Sequence, residues 1–182
     1  MKKIDYLLQG QRIKQAKKYI TGNSILDIGC HYGELFEIIG KKKSITGAGI
    51  DGVLDRKIEK EHYTLFPGFF PQDFPLEKQY DNITLLAVLE HIPLQELEQY
   101  PELLSRYLNP NGRVIVTVPT KYVDYILDFL VFFKLIDGMD LEHHQDFERP
   151  IIKKLFTENG YKLIADKRFE LGLNILYVFE KI

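Results

Sequence analysis

Residues 26–33 read LDIGCHYG, and the turn they make decides how the rest of the chain is organised. The run ending there, residues 24–28, is short and apolar, as expected of a strand buried on both faces. An acid, Asp27, and two glycines follow, and helical spacing resumes at Glu34 and runs to Ile39 before Gly40. Gly29 and Gly33 let the backbone turn sharply and let a ligand approach the main chain closely. A strand that runs through such a turn into a helix belongs to an open α/β sheet. In those sheets ligands lie in the crevice at the carboxyl ends of the strands.

Working outward, residues 11–20 predict a helix with Ile13, Ala16 and Ile20 on one side and lysines on the other. Residues 45–50 predict a weak second strand that ends at Asp51. The stretch around residues 66–71 is irregular and rich in aromatics and proline, and a clear strand follows at 82–88. Pro93 and Pro101 mark helix starts, with Leu94, Leu97, Leu103, Leu104 and Tyr107 facing inward. Residues 109–112, NPNG, predict a turn before the cleanest strand, 113–118. A helix over 149–159, capped by Gly160, leads to strands at 161–168 and 174–179. These last two are too close for a helical crossover and should pair antiparallel. The expectation is α/β: a doubly wound, mostly parallel seven-stranded sheet with an antiparallel C-terminal hairpin edge. Without repeats or linkers, residues 1–182 read as a single domain, with 120–147 as a lid or interface insertion.

Composition narrows the function classes. A net charge of −2, with 45% hydrophobic and 27% charged residues, is a soluble globular balance that gives no basic face for nucleic acid. Lys41-Lys42-Lys43 reads as a solvated helix end. The single cysteine, Cys30, allows no intrachain disulfide and suits a reducing compartment. Neither a signal-peptide core nor an apolar run long enough to span a bilayer appears, so the expected location is cytoplasmic, without an integral membrane segment.

The ligand follows from the turn and its neighbour. A carboxylate at Asp51 can accept hydrogen bonds from both hydroxyls of a ribose, which implies an adenosine-type ligand. A dinucleotide loop would need G-x-G-x-x-G, but His31 stands where the second glycine belongs; a phosphate loop would need G-K-[ST], which is absent. The chain instead resembles the class I S-adenosylmethionine-dependent methyltransferases, of Rossmann-like fold, whose first motif is an acid followed by G-x-G-x-G. The likeness continues through GID at 49–51, YDNITLLAVLEHIP at 80–93, LNPNGRVIVTVP at 108–119 and NGYKLI at 159–164. It implies that Asp27, Gly29, Cys30 and Gly33 border the methionine part of S-adenosyl-L-methionine and that Asp51 holds its ribose. Gln72 and Asp73 fall where a polar contact to adenine is common, with loop capping the alternative for Asp73. Phe69 or Phe70 would pack on the adenine ring, and Leu86, Ala87 and Val88 would border the cofactor opposite the glycine loop. His31 departs from the family pattern by adding a side chain inside the loop.

Methyl transfer from a sulfonium needs alignment above all, and a base only where the acceptor must lose a proton. His91 is the first candidate for that base, with a structural role in the turn as its alternative. His143 is the second candidate. No carboxylate or Cys/His set has metal-ligand spacing, so no metal is expected. Residues 122–136 are apolar on most helical faces and read as a lid over the substrate or as a homodimer face. They lack the basic side usual for docking on a membrane. The resemblance implies an enzyme that methylates a small molecule, at oxygen in a metabolite, sugar or lipid-linked intermediate. The competing expectation is a non-catalytic cofactor-binding or interaction subunit of the same fold.

Overall fold

A computed structural model describes residues 3–40, 44–120 and 149–182. Its elements, in chain order, are α1 (Lys3–Ala16), β1 (Ser24–Ile28), α2 (Glu34–Gly40), β2 (Thr46–Asp51), β3 (Ile58–Glu59), β4 (Tyr63–Pro67) and β5 (Tyr80–Leu86). They continue with α3 (Leu94–Leu97), α4 (Tyr100–Arg106), β6 (Leu108–Pro119), α5 (Arg149–Thr157), β7 (Tyr161–Phe169) and β8 (Asn174–Lys181). All eight strands form one sheet in the order β3-β4-β2-β1-β5-β6-β8-β7. From β4 across to β6 the neighbours run parallel, while β8 lies antiparallel between β6 and β7.

Alternation along the strands explains why both faces are covered. On one face Leu26, Ile83, Leu85, Val114, Val116 and Phe179 pack with Leu97 and Leu104 of α3 and α4 and Phe156 of α5. On the other, Ile25, Ile115, Leu176 and Val178 pack with Ile13 and Ala16 of α1 and Leu35, Phe36 and Ile39 of α2. The molecule is therefore doubly wound, with helices on both faces and an antiparallel hairpin edge, as the alternation of elements predicts.

At the amino ends of the strands the chain is pinned by side chains. Asp81 Oδ2 accepts the Asn23 and Ser24 N–H groups, both at 3.0 Å, and the Ser24 hydroxyl at 2.9 Å. Its Oδ1 accepts Asn109 Nδ2 at 2.8 Å. One carboxylate thus ties the start of β1 to β5 and β6. Next to it, Asn82 donates to the Thr21 carbonyl at 2.6 Å and accepts the Thr21 N–H at 3.0 Å.

Several elements differ from the sequence expectation. The first helix runs from Lys3 to Ala16 rather than over 11–20. It stops early because the descending chain is held by the sheet: Arg113 donates to the Tyr19 carbonyl at 3.1 Å, and Thr21 is bound by Asn82. Ile20 is buried all the same. The sheet has eight strands, not seven, since the two-residue β3 folds back on β4 through a Lys60 N–H to Tyr63 carbonyl bond of 2.9 Å. Leu94 is 43% exposed, because α3 is a single turn and buries only Leu97. The NPNG stretch is absorbed into β6, with Asn111 at a φ of 59° and a register shift opposite Tyr80 and Asn82. Of the proposed insertion only Thr120 is described; residues 122–136, His143 and Lys41-Lys42-Lys43 lie outside the described residues.

Candidate functional site

Where β1, β2, β5 and β6 end side by side, the backbone is unusually constrained. Gly29 (φ 74°), His31 (φ 48°), Gly33 (φ 90°) and Ala87 (φ 61°) all adopt the left-handed region there. The glycine loop is folded onto the neighbouring strand: the Gly29 and Cys30 N–H groups donate to the Ile50 carbonyl at 2.9 and 3.3 Å. A Cβ at Gly29 would sit 2.4 Å from Val88 Cγ2, so the residue must be glycine for conformation and for space.

Asp51 closes the arrangement from the end of β2. Its Oδ2 accepts the His31 N–H at 2.7 Å and its Oδ1 the Val53 N–H at 2.9 Å. Each carboxylate oxygen can take a further bond, so the half-buried group keeps spare acceptor capacity. The His31 ring is turned to the start of α2, with Nδ1 2.8 Å from Glu34 Oε1, while the Tyr32 N–H also donates to Glu34 at 3.2 Å.

Asp27 is 3% exposed and accepts the Thr84 hydroxyl at 2.6 Å. Burial pushes its carboxyl up to about 7; the Thr84 bond works against this, and the negative charges of Asp51 and Glu34 add to it. Cys30 is buried and free, and burial above all pushes its thiol far up, so it is not a nucleophile.

A cavity of about 190 Å³ opens between α1 and this edge. Asp27, Gly29, Cys30 and Leu86 line it together with Leu35 and Ala87, and α1 contributes Leu8, Gln9, Arg12 and Ile13. Five residues expected from the sequence, Asp27, Gly29, Cys30, Leu86 and Ala87, thus line it together. Gly33 stands behind them, where a Cβ would lie 3.1 Å from both Leu65 and Tyr63. Leu8 and Gln9 precede the helix predicted over 11–20, and Arg12 and Ile13 fall within it with no sequence signal for a cavity; the helical spacing of Leu8 and Arg12 ahead of Ala16 is the available one.

The remaining expectations separate. Asp73 Oδ2 accepts the Phe69 N–H at 2.8 Å, so it caps its own loop, and Gln72 is exposed on the same turn. Phe70 is buried against Phe74 and Tyr107, which leaves Phe69, 72% exposed, as the solvent-facing aromatic of the pair. The Phe69 ring lies over Gly52, next to Asp51, where a Cβ would come within 2.8 Å of it.

His91 sits exposed in a single 3-10 turn, Leu89–His91, directly after β5. The N-cap of α3, Pro93, makes no side-chain capping bond. Burial pushes Glu90 up to about 7, against the pull of the Arg12 charge. Among the described residues no group of three or more His, Cys, Asp or Glu side chains is placed to hold a metal ion.

Comparison with known proteins gives the same picture. A family model described as a methyltransferase domain matches residues 2–166. No curated protein matches the chain. Among solved structures, the magnesium protoporphyrin IX methyltransferase ChlM of Synechocystis PCC 6803, with bound SAH, superposes at a TM-score of 0.70 with 16% identity, over 97% of this chain and 84% of its own. The N-methyltransferase NodS of Bradyrhizobium japonicum WM9 gives 0.66 with 14% identity, over 97% and 98%. The cyclopropane synthase MmaA2 of Mycobacterium tuberculosis gives 0.71 with 12% identity, over 95% and 84%. Likeness at identities this low establishes the shared fold, while the activities named for these proteins differ.

Proposed function

We propose that this chain, which belongs to the methyltransferase-domain family, transfers a methyl group from S-adenosyl-L-methionine to an oxygen of a small-molecule acceptor. The observation that carries the reading is the join between Asp51 and the glycine loop. A half-buried carboxylate with spare acceptor capacity is bonded to the backbone of a loop that lines a cavity. Asp51 would hold the ribose hydroxyls, and Phe69 would lie on the adenine. The Gly29 backbone, Leu86 and Cys30 would enclose the methionyl part. Asp27 would take its amino group, and a cation there favours the ionised carboxylate, lowering the raised pKa.

When bound, the cofactor supplies a methyl carbon on a sulfonium, whose departure as a neutral thioether needs no acid. The protein's share is alignment and the removal of one proton. The chain's residues would hold the acceptor hydroxyl in line with the methyl group, and a base would take its proton as the methyl passes from sulfur to oxygen. His91, exposed beside the end of β5, is our candidate for that base, and His143 is the alternative. Against a non-catalytic role speaks the contact of the His31 ring with Glu34, which turns it to the start of α2; the apolar residues 122–136, the other feature that suggests such a role, lie outside the described residues. We also take the compartment to be the cytoplasm and residues 122–136 to form a lid or dimer face. Among the described residues no helix is long and apolar enough to cross a membrane.

Calorimetry with S-adenosylmethionine and S-adenosylhomocysteine tests the reading. Binding that is lost in Asp51→Ala supports it; an absence of binding, or binding indifferent to that change, overturns it. His91→Ala should cut turnover far more than cofactor affinity, and unchanged turnover would move the base elsewhere.

A further inference from the structure

Buried polar atoms without a partner are rare in folded proteins, and each one calls for an explanation. Among the described residues there are seven in side chains. Six of them are Arg12 Nε, Glu90 Oε2, Thr117 Oγ1, Thr120 Oγ1, Glu170 Oε1 and Asn174 Oδ1. These six belong to segments that meet at the carboxyl ends of β5 and β6. The Ala87 N–H, three residues before Glu90, donates to the Thr117 carbonyl at 2.9 Å, and the Thr120 N–H donates to the Leu173 carbonyl at 2.7 Å. Asn174 stands opposite Pro119 in the β6–β8 ladder, and its amide donates to Glu170. Alternation puts Thr117 and Asn174 on the α1 face, in line with Ile115 and Leu176. The positive charge of Arg12 acts on both Glu90 and Glu170, and Arg12 also lines the cavity beside Asp27.

The backbone is bent to hold this corner. Glu170, Leu171 and Gly172 are consecutive residues in the left-handed region, at φ 51°, 56° and 88°. Leu171 is thereby turned fully into solvent while Glu170 is held to Asn174. Such strain persists only where the surroundings fix it.

The donor and acceptor inventory selects the ligand. Arg12 Nε offers a hydrogen, the carboxylate and amide oxygens of Glu90, Glu170 and Asn174 need one, and the two threonine hydroxyls can do either. An ammonium only donates, and it would meet the Arg12 cation. An apolar ring satisfies none of the six. A group of neutral hydroxyls donates and accepts at once. We propose that Glu90, Thr117, Thr120, Glu170 and Asn174 form an acceptor subsite for an uncharged, hydroxyl-rich molecule such as a sugar or cyclitol, with Arg12 shared between it and the cofactor cavity. The proposal rests on the methyl-transfer reading and adds the class of acceptor. These residues bind and orient the acceptor; none is assigned a step in the chemistry.

The test is the rate of S-adenosylhomocysteine formation over three panels: monosaccharides and cyclitols, primary amines, and phenols. Turnover confined to the first panel is expected. With the best acceptor, Glu170→Gln and Asn174→Ala should each raise KM by about tenfold or more, because a hydrogen-bonding site left unpaired discriminates strongly. Cofactor affinity should stay within about twofold of wild type, since neither residue borders the cofactor cavity. Glu170→Gln is isosteric and lies on a surface turn, so it keeps the test alive if Asn174→Ala does not fold; melting curves decide that point. Turnover of amines or phenols alone, turnover in none of the panels with cofactor binding intact, or a wild-type KM in Glu170→Gln overturns the subsite. Failure to bind S-adenosylmethionine at all is a different result: it overturns the methyl-transfer reading, and the subsite falls with it.

Discussion

Two aspartates on adjacent strands, Asp81 at one edge of the sheet and Asp27 at the other, show how the molecule divides its labour. Asp81 starts β5 and gathers donors from Asn23, Ser24 and Asn109. Burial alone would raise its pKa, yet the hydrogen bonds from Asn23, Asn109 and Ser24 outweigh that and hold it below the usual carboxylate range. Asp27 is more deeply buried, has Thr84 as its side-chain donor, and is pushed up to about 7. The first aspartate has its bonds supplied by the fold and so stabilises it. The second is buried with the negative charges of Asp51 and Glu34 acting on it, which costs stability. Polar groups at the amino edge hold the strands together, while at the carboxyl edge Asp27 lines a cavity.

The largest expected effect breaks this comparison with pH. A carboxyl whose folded pKa is raised contributes stability that is complete below the unfolded value, near 3.8, and is lost as pH rises through about 7. Asp27→Asn does not titrate, so its stability relative to wild type should climb between pH 4 and 7 and then level off, by up to about 4 kcal/mol. Asp81 has the opposite sign: its lowered pKa makes its stabilisation present above the unfolded value and lost as pH falls through the folded one. Asp81→Asn should therefore lose to wild type most at neutral pH and converge with it in acid. Urea denaturation from pH 3 to pH 8 measures both, and parallel curves would erase the distinction.

Next in size is Asp81→Ala, which removes a charged acceptor from several donors and should cost about 3 kcal/mol. Its affinity for S-adenosylmethionine should match wild type, because the residue sits at the far edge from the cavity. A matched loss of affinity would mean that the two edges are not independent.

A pair of glycines sharpens the contrast. Gly22 (φ 57°) and Gly29 (φ 74°) both hold left-handed backbone, and a Cβ at either would collide, at 2.3 Å with Asp81 Oδ2 and at 2.4 Å with Val88 Cγ2. Replacement of either by alanine should cost about 1.5 kcal/mol in stability, on the scale of the left-handed penalty for L-residues. Only Gly29→Ala should also weaken cofactor binding, as read by calorimetry beside a thermal melt.

The two edges also differ in how far they could be read from the sequence. Along the carboxyl edge, the glycine loop and Asp51 were legible because they depend on local order: a buried strand, a turn that needs glycine, an acid at the end of the next strand. The closing hairpin was legible for the same reason. The role of α1 was not, since Gln9 and Arg12 reach the cavity only through the packing of Ile13 and Ala16 on the sheet. For Asp73 the sequence left adenine contact and loop capping open, and the bond from the Phe69 N–H shows the capping. Glu170 and Asn174 gave no signal at all. They lie far from the loop in sequence, and the antiparallel insertion of β8 between β6 and β7 is what brings them to the same edge.

The smallest effect tests whether Asp81 acts as one knot or as separate bonds. Asn109 donates one hydrogen bond to it, at 2.8 Å, from the first turn of β6. If the knot is a set of separate bonds, Asn109→Ala should cost about 1 kcal/mol, the ordinary worth of a single bond. In the Asp81→Ala background the same change should then cost almost nothing, because its partner is already gone. A double-mutant cycle by urea denaturation gives both numbers. A full cost for Asn109→Ala without Asp81 would show that the asparagine holds the NPNG bend in β6 by itself, and that the amino edge is stabilised by more than its central carboxylate.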